Sequence, residues 1–477
     1  MNSSKPAQGG MREVIGVALP MMVSHACDTV MTFTDRMFLS RLGPDLMNAS
    51  MAGGLSAYMM MAFFLGLTGY ATAVIAQNLG AGRKDRCSIT LSQAVLIACV
   101  AYPILLLCRP LMHSLFEATG IGAAQLAPQK LYFNILLSAV ILSLLRQCLS
   151  SFFSGIGRTR IVMLASLVTL LVNVGVNYLL IFGKLGFPAL GIQGAAYGTI
   201  TGTVCGLAIL LSSYLSAANR REFGIDRSLR FDSQVMRTLL RFGYPAGVEM
   251  FLNLLAFTLI VLLFHSAGEV SATAATLMFN WDMVSFVPLI GVEIGVTSLV
   301  GRYMGARDPE TAHRATMSGL KVGWMYSLVI LLFFVCFPGL LVDLFHTSDA
   351  GGVFARARPT AVFMVRTASL YVMVEAVLVV FIGALRGAGD TFWTMCYSVT
   401  LHWILAPVVF VMLKVVGASP EAAWVALVLS FLLLTIPLIL RYLGGSWKTI
   451  RMLPGETEAV AATAAIIPDT FHEPPDL

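Results

Sequence analysis

The sequence predicts an all-α integral membrane protein with twelve transmembrane helices, arranged as two six-helix lobes. Of its 477 residues, 57% are hydrophobic and only 12% are charged, whereas soluble domains carry about 25% charged residues. A repeat is also visible, because Pro20 recurs as Pro245 and Gly80 recurs as Gly305 at the same offset along the chain. A fixed offset indicates duplicated structural units. Since six crossings are an even number, the two copies are predicted to be parallel, related by a pseudo-two-fold axis along the membrane normal.

Hydropathy places six spans in each half, since about 20 consecutive apolar residues cross the hydrocarbon core as a helix. The predicted spans are 12–40, 48–78, 88–112, 128–154, 159–183, 191–216, 236–266, 271–303, 313–345, 359–386, 391–415 and 420–442. The predicted divisions are an N-terminal tail (1–11), an N-lobe (12–217), a linker (218–233), a C-lobe (234–445) and a C-terminal tail (446–477). The C-terminal tail is predicted to be disordered because it contains few large apolar residues.

The orientation of the chain follows from its lysine and arginine residues. Alternate connections are rich in them, for example at Arg83, Lys84 and Arg220. The positive-inside rule predicts that both termini and the linker are cytoplasmic, in an inner or plasma membrane. Arg386, at the end of the tenth span, is predicted to be a cytoplasmic anchor in preference to a substrate ligand. The net charge of +6 is explained by this topology and by contact with anionic lipid, so no nucleic-acid partner is predicted.

Six acidic residues fall at membrane depth. An ionised side chain at the bilayer centre costs about 2.5–3.5 kcal/mol on insertion scales, so such residues tend to face a cavity and to bind an ion, a proton or a cationic substrate. The alternative is a structural ion pair, with Arg36 or Arg146 as the partner. The six acids are Asp28, Asp35, Glu249, Asp282, Glu293 and Glu375.

In the N-lobe, Asp35 is the predicted coupling residue for a cation or a proton. Asn173 and Asn177 are four residues apart on the fifth span and therefore share a helix face. An acid with two amides can bind sodium through oxygen atoms, or can hold a proton. The alternative is that the two asparagines only join helices, as amides often do in membranes.

In the C-lobe, the predicted coupling acids are Glu249 and Glu375, near the middle of the seventh and tenth spans. Asn253 lies one turn beyond Glu249 on the same helix face. Glu249, Asn253 and Glu375 are the predicted sodium ligands. Asp282 and Glu293, both on the eighth span, are additional candidates.

The first two spans are rich in methionine, whose flexible thioether suits a pocket for varied apolar ligands. Met31 and Met60 are therefore predicted to line a substrate cavity. Phe279 and Trp281 are predicted to stack on an organic cation. The alternative for all four is that they face lipid or fill gaps between helices.

Five short segments carry recognisable motifs in a consistent order on the twelve-span frame. They are Thr34–Gly43, Gln77–Gly82, Asn173–Gly183, Leu190–Ala196 and Gly383–Thr391. Together they resemble the multidrug and toxic compound extrusion (MATE) family over nearly all of residues 12–445. The resemblance implies a V-shaped pair of lobes that exports organic cations in exchange for sodium or protons. It also implies that Asp35 is the N-lobe acid, that Asn173 and Asn177 line that lobe, and that Glu375 is the tenth-span acid of NorM-like members.

The chain departs from the family pattern near its acids. Members place an acid eight residues after the seventh-span proline, where this chain has Asn253, and its own Glu249 comes one turn earlier. Four residues along a helix keep the same face and move about 6 Å, so Glu249 is expected to take over that role. Arg36 replaces a small polar residue beside Asp35. The acids of the eighth span have no counterpart.

These features predict a secondary active antiporter without catalytic residues, which exports lipophilic or cationic small molecules by alternating access. The coupling ion is sodium or a proton, no cofactor is predicted, and the chain is expected to act as a monomer in contact with membrane lipid. The main alternative is a flippase for a lipid-linked or amphiphilic substrate, ahead of a channel or an inactive sensor. No Gly-x-Ser-x-Gly motif supports an enzyme, and no phosphate-binding loop supports ATP as the energy source.

Overall fold

A computed structural model describes residues 8–118, 122–345 and 352–453 of the chain, and these residues contain helices and connections without any β-strand. Of the predicted tails, residues 1–7 and 454–477 lie outside the described residues. Residues 446–453, predicted to be disordered, are ordered instead and begin with the 3₁₀ helix Ser446–Thr449. The reason is one aromatic side chain: Trp447 is fully buried, and its Nε1 donates to the Tyr442 carbonyl at 3.0 Å.

The first half of the chain forms the N-lobe. Its helices are α1 (Met11–Ser40), α2 (Pro44–Gly69), α3 (Ala71–Gly80), α4 (Lys84–Leu107), α5 (Arg109–Ala118), α6 (Ala123–Ser138), α7 (Val140–Gly155), α8 (Thr159–Phe182) and α9 (Ile192–Tyr214). Helices α2 and α3 together make the second span, and α6 and α7 are bent by 48° where they meet. The short helix α10 (Ala217–Phe223) lies in the linker.

The second half forms the C-lobe. Its helices are α11 (Ser233–His265), α12 (Glu269–Gly305), α13 (Pro309–Cys336), α14 (Pro338–Asp343), α15 (Val353–Ala388), α16 (Thr391–Phe410) and α17 (Pro420–Leu443). A π-helical turn, Val411–Val415, extends α16. Across the described residues, 11 helical units are long and apolar enough to cross a membrane, and the bent pair α6–α7 brings the number to 12. The predicted twelve-span fold is therefore confirmed.

The recurring glycine motif marks equivalent helix ends in the two lobes. Gly157 follows α7 with a φ of 76°, and Gly389 follows α15 with a φ of 102°. An L side chain rarely adopts this backbone conformation, so glycine is favoured at both turns. Two residues later, Thr159 and Thr391 begin the next spans. The shared motif thus reverses the chain direction at the same end of each lobe.

The two lobes pack against each other through glycines at equivalent positions of the two repeats. A Cβ on Gly80 would lie 1.8 Å from the Arg302 carbonyl oxygen, and a Cβ on Gly305 would lie 2.0 Å from that of Gln77. Gly305 and Arg302 occupy the positions in the C-lobe that Gly80 and Gln77 occupy in the N-lobe. The same contact is therefore made twice, once in each direction, as a two-fold axis requires. Only glycine allows the two backbones to approach this closely.

The lobes meet at the end of the bundle that carries the linker and the α3–α4 connection, where Arg83 and Lys84 lie. We call this end the basic end. The hydrogen bonds between the lobes in the described residues lie there. Gln77 Nε2 donates to the Gly387 carbonyl at 2.8 Å, and Ser298 Oγ donates to the Ser154 carbonyl at 2.6 Å. At the same end, Arg302 Nη1 lies 3.6 Å from Glu13 Oε1. The lobes are thus joined at the basic end.

Candidate functional site

The predicted N-lobe acid lies in a network of neutral polar side chains. Asp35 of α1 is 8% exposed. Asn177 Nδ2 donates to its Oδ1, and Thr199 Oγ1 of α9 donates to its Oδ2 at 3.3 Å. Asn173 Nδ2 donates to the same Thr199 hydroxyl at 3.3 Å, and Asn177 Nδ2 also lies 3.2 Å from Asn173 Oδ1. The structure therefore brings the three predicted N-lobe residues together and adds Thr199.

A row of glycines on α9 positions this network. Gly194, Gly198 and Gly202 recur every fourth residue and line the face of α9 that packs on α8. A Cβ on Gly198 would lie 1.8 Å from Asn177 Oδ1, and one on Gly202 would lie 2.7 Å from a carbonyl oxygen of α8. Small residues at such spacing let membrane helices approach closely. The close approach leaves Asn177 no room to turn away from Asp35.

Two predicted acids of the C-lobe share a second site. Tyr371 Oη of α15 donates to Asp282 Oδ1 of α12 at 2.5 Å, and Ser285 Oγ donates to Glu375 Oε2 at 3.0 Å. Asp282 and Ser285 are one turn apart on α12, and Tyr371 and Glu375 are one turn apart on α15. No lysine or arginine in the described residues forms an ion pair with either acid. We call these four residues the carboxyl pair site.

The other two C-lobe acids form an ion cluster with Arg386. Its Nη1 is hydrogen-bonded to Glu293 Oε1, and its Nη2 lies 2.9 Å from Glu249 Oε2 without the angles of a hydrogen bond. The side chains of Glu249, Glu293 and Arg386 are 2%, 14% and 24% exposed. The prediction of Arg386 as a cytoplasmic anchor was wrong, because its guanidinium joins acids from α11 and α12. We call these three residues the ion cluster.

The predicted sodium ligands do not share one site. Glu249 belongs to the ion cluster and Glu375 to the carboxyl pair site, while Asn253 Nδ2 donates to Ser398 Oγ of α16 at 2.8 Å. The Asn253 Oδ1 atom is buried without a hydrogen-bond partner. In the described residues, no group of three or more histidine, cysteine, aspartate or glutamate side chains has the arrangement of a metal site.

The predicted cavity residues divide between the lobes. Met31 is partly buried on α1, and Met60 of α2 packs against the N-lobe core. Phe279 packs against the C-lobe core with its ring 5.7 Å from that of Trp424. Trp281 Nε1 donates to the Leu341 carbonyl at 3.1 Å. The two aromatic residues therefore have structural partners within the C-lobe.

Sequence reasoning missed four groups that hold the acids: Thr199, Ser285, Tyr371 and the guanidinium of Arg386. The first three are ordinary residues of apolar helices, and none of them carries a motif. Arg386 was visible at the end of the tenth span, but its partner acids lie on other helices. The remaining membrane acid, Asp28, lies 3.4 Å from Arg146 Nη2, which is one of the two arginines considered as partners.

Comparison with known proteins agrees with this architecture. The chain is 26% identical over 453 residues to a probable multidrug resistance protein NorM of Thermotoga maritima, covering 93% of this chain and 95% of that protein. It is 26% identical over 399 residues to the multidrug resistance protein MdtK of Yersinia enterocolitica, covering 83% and 85% of the two chains.

A solved structure described as the outward-facing conformation of a multidrug resistance MATE family transporter of the MOP superfamily has the same fold. Its TM-score is 0.83 at 18% identity, covering 94% of this chain and all of that one. The MatE family pattern matches residues 20–179 and 245–411, one segment in each lobe. The first segment begins at Pro20 and the second at Pro245, the same residues that revealed the repeat. The chain therefore belongs to the MatE family of membrane transporters.

Proposed function

We propose that this protein is a secondary active antiporter that exports lipophilic or cationic small molecules in exchange for sodium ions or protons. Both termini and the basic end lie in the cytoplasm in this proposal, as the positive-inside rule requires. The relatives named as multidrug resistance proteins support export of varied small molecules. The protein needs no catalytic residue and no cofactor for this activity.

The observation that carries the proposal is the surroundings of Asp35. Its carboxyl group is buried at membrane depth, and its hydrogen-bond donors are the neutral side chains of Asn177 and Thr199. No basic residue in the described chain forms an ion pair with it. A carboxylate in this position has to be balanced by a proton, a metal cation or a cationic substrate. Competition among these ligands for one site is the requirement for exchange.

The carboxyl pair site gives the C-lobe a second place for a cation. Asp282, Ser285, Tyr371 and Glu375 present oxygen atoms from two adjacent helices. Sodium prefers oxygen ligands, as other hard cations do. In this proposal, sodium binds at the carboxyl pair site and not at the set of Glu249, Asn253 and Glu375 that the sequence suggested.

The lobe interface supports alternating access. The lobes meet at the basic end, so this conformation is closed to the cytoplasm in the proposed orientation. Opening requires the symmetric glycine contacts and the Gln77–Gly387 hydrogen bond to separate. A ligand drives such a change only through different affinities for the two conformations. A membrane potential supplies about 2.3 kcal/mol per charge per 100 mV. One imported cation can therefore drive substantial export where the charge of the exported substrate does not cancel it.

The proposal is tested by the flux of a fluorescent organic cation in proteoliposomes, under a sodium gradient alone and then under a pH gradient alone. We expect flux under one of the two gradients and its loss in Asp35→Asn. The exposed linker residue Asp226 gives a matched control, because Asp226→Asn makes the same chemical change outside the membrane. Absence of flux under both gradients would overturn drug export and favour the flippase alternative.

A further inference from the structure

An arginine of the N-lobe lies deep within the membrane span and is only loosely paired. Arg146 is nine residues from Gly155, the last residue of α7 at the lobe interface. At 1.5 Å per residue, this places its Cα about 13 Å from that end of the helix, near the middle of a 30 Å hydrocarbon core. A cation at this depth is costly unless it faces a polar cavity or a partner.

The only ion pair of Arg146 in the described residues is with Asp28 of α1. A single contact of 3.4 Å joins Nη2 to Oδ1, and the two side chains are 26% and 35% exposed. A guanidinium has five N–H donors arranged as a fork that matches a carboxylate through two parallel bonds. This pairing uses one of the five. One turn before Asp28, the Nε2 atom of His25 is buried without a hydrogen-bond partner.

The pair lies on the protein-facing side of α1. Residues Leu19, Val30 and Phe33 are 52%, 50% and 59% exposed. At 100° per residue they point in one direction, which is the lipid-facing side of the helix. Asp28 points about 180° away from it, in nearly the same direction as Asp35. The side chains of Asp28 and Asp35 thus face the interior of the N-lobe, and the two residues are about 10 Å apart along the helix axis.

The fold does not require this pair. The offset of the repeat is 225 residues from Pro20 to Pro245 and 232 residues from Gly157 to Gly389. The C-lobe positions equivalent to Asp28 and Arg146 by these two offsets hold Asn253 and Leu378. The C-lobe builds the same helices without a charge at either place. An arginine at membrane depth that the scaffold does not need, with four donors left by its ion pair with Asp28, is a recognition group for an anionic oxygen.

We propose that Arg146 binds the carboxylate of zwitterionic substrates while their positive centre lies towards Asp35. This inference rests on the proposed function and names a residue that determines its specificity. Suitable substrates carry their two charges no further apart than the axial separation of Asp28 and Asp35. Asp28 holds Arg146 in place when no substrate is bound and competes with the substrate carboxylate for it. The N-lobe therefore distinguishes a zwitterion from the corresponding cation.

The test uses a rhodamine dye in two forms, the zwitterionic free acid and its methyl ester, which is a simple cation. Transport of each is measured in proteoliposomes under the gradient that drives cation flux. We expect Arg146→Gln to lower transport of the acid at least tenfold while the ester changes less than twofold. Arg146→Lys, which keeps the charge without the fork, should restore part of the acid transport. Arg237→Gln, at an exposed arginine of α11, is the matched control.

A purely structural role for Arg146 would lower transport of both dyes by the same factor, and that result would overturn the proposal. A second variant keeps it testable if Arg146→Gln does not fold. Asp28→Asn removes the competing carboxylate, so the KM for the acid should fall while that for the ester is unchanged. A rise in the KM for the acid would contradict the proposal. If the unmodified protein transports neither dye under either gradient, the proposed function fails with it.

Discussion

In the C-lobe, Glu249, Glu293 and Arg386 form a buried ion cluster beside the lobe interface. The positions equivalent by the repeat in the N-lobe hold Ser24, Thr68 and Ser154. These residues are small and neutral, and they make ordinary contacts: Ser24 and Ser166 share a hydrogen bond of 2.6 Å. The charged cluster therefore exists on one side of the pseudo-two-fold axis only.

The N-lobe network shows the opposite asymmetry. Its acid and two amides correspond to apolar positions of the C-lobe, namely Ile260, Leu405 and Val409. The glycines of the lobe interface, in contrast, are kept in both halves. Both lobes need the same packing surface to meet around the axis, whereas packing does not require a polar network at equivalent places in the two lobes. The comparison indicates that the two lobes share a packing scaffold and differ in where their polar and charged groups lie.

The largest expected effect comes from removing the arginine of the ion cluster. Arg386→Leu leaves Glu249 and Glu293 buried without a cation, which costs about 3–5 kcal/mol when one partner of a buried pair is lost. We expect a large fall in Tm in detergent, or failure to accumulate in the membrane. The triple variant E249S/E293T/R386S places the three equivalent N-lobe residues at the positions of the ion cluster. It should be clearly more stable than Arg386→Leu. Equal stability of the two variants would mean that the cluster is not held by charge pairing.

The second comparison concerns function. Asp35→Asn should reduce ion-coupled flux at least tenfold with little change in Tm, because the asparagine can keep the hydrogen bond from Thr199.

Glu375→Gln and Glu249→Gln, tested singly, separate the carboxyl pair site from the ion cluster. We expect Glu375→Gln to change the ion dependence of flux and Glu249→Gln chiefly to change stability. Normal transport by both glutamine variants would exclude a cation site in the C-lobe.

Substitutions of the glycines at the lobe interface are expected to lower Tm by a smaller amount, which is similar for the two lobes. Gly80→Ala and Gly305→Ala each place a Cβ against a carbonyl oxygen of the other lobe, and overpacking of this kind costs about 1–3 kcal/mol. We expect similar losses of Tm in the two variants. Gly16→Ala is the control, since a Cβ there meets nothing within 4 Å. A loss confined to one of the two interface glycines would show that the lobes do not contribute equally to the contact.

The smallest effect is expected in the linker. The hydrogen bond from Lys84, together with the contact of Arg158, outweighs burial and holds the pKa of Glu222 below its ordinary value. A depressed carboxyl pKa stabilises the fold at pH values above the unfolded pKa of about 4.3, and this stabilisation is lost as the pH falls through the folded value. Because exposed ion pairs contribute little, Glu222→Gln should change Tm by at most about 2 °C at neutral pH. The difference from the unmodified protein should disappear in acid, and a difference that grows in acid would contradict this assignment.

Part of the candidate site followed from local spacing. Asn173 and Asn177 share a face because four residues make about one helical turn, and Asp35 lies at a matching depth on the first span. The carboxyl pair site could not be predicted from local spacing, because Asp282 contacts Tyr371 only when α12 packs against α15. Arg386 was misread for the same reason, since its position at a helix end is local information and its two partners belong to other helices.

The sequence by itself determined the membrane class, the twelve spans, the repeat and the depth of each acid. These properties are local, because a bilayer demands about 20 apolar residues per crossing and a helix satisfies its own backbone groups. Only the tertiary structure decided which polar groups are partners. It separated Glu249, Asn253 and Glu375 into different environments and paired Arg146 with Asp28. Such contacts depend on the angles and registers at which helices distant in the sequence pack. A membrane interior is as apolar as the helices themselves, so it sets neither the packing angle nor the register.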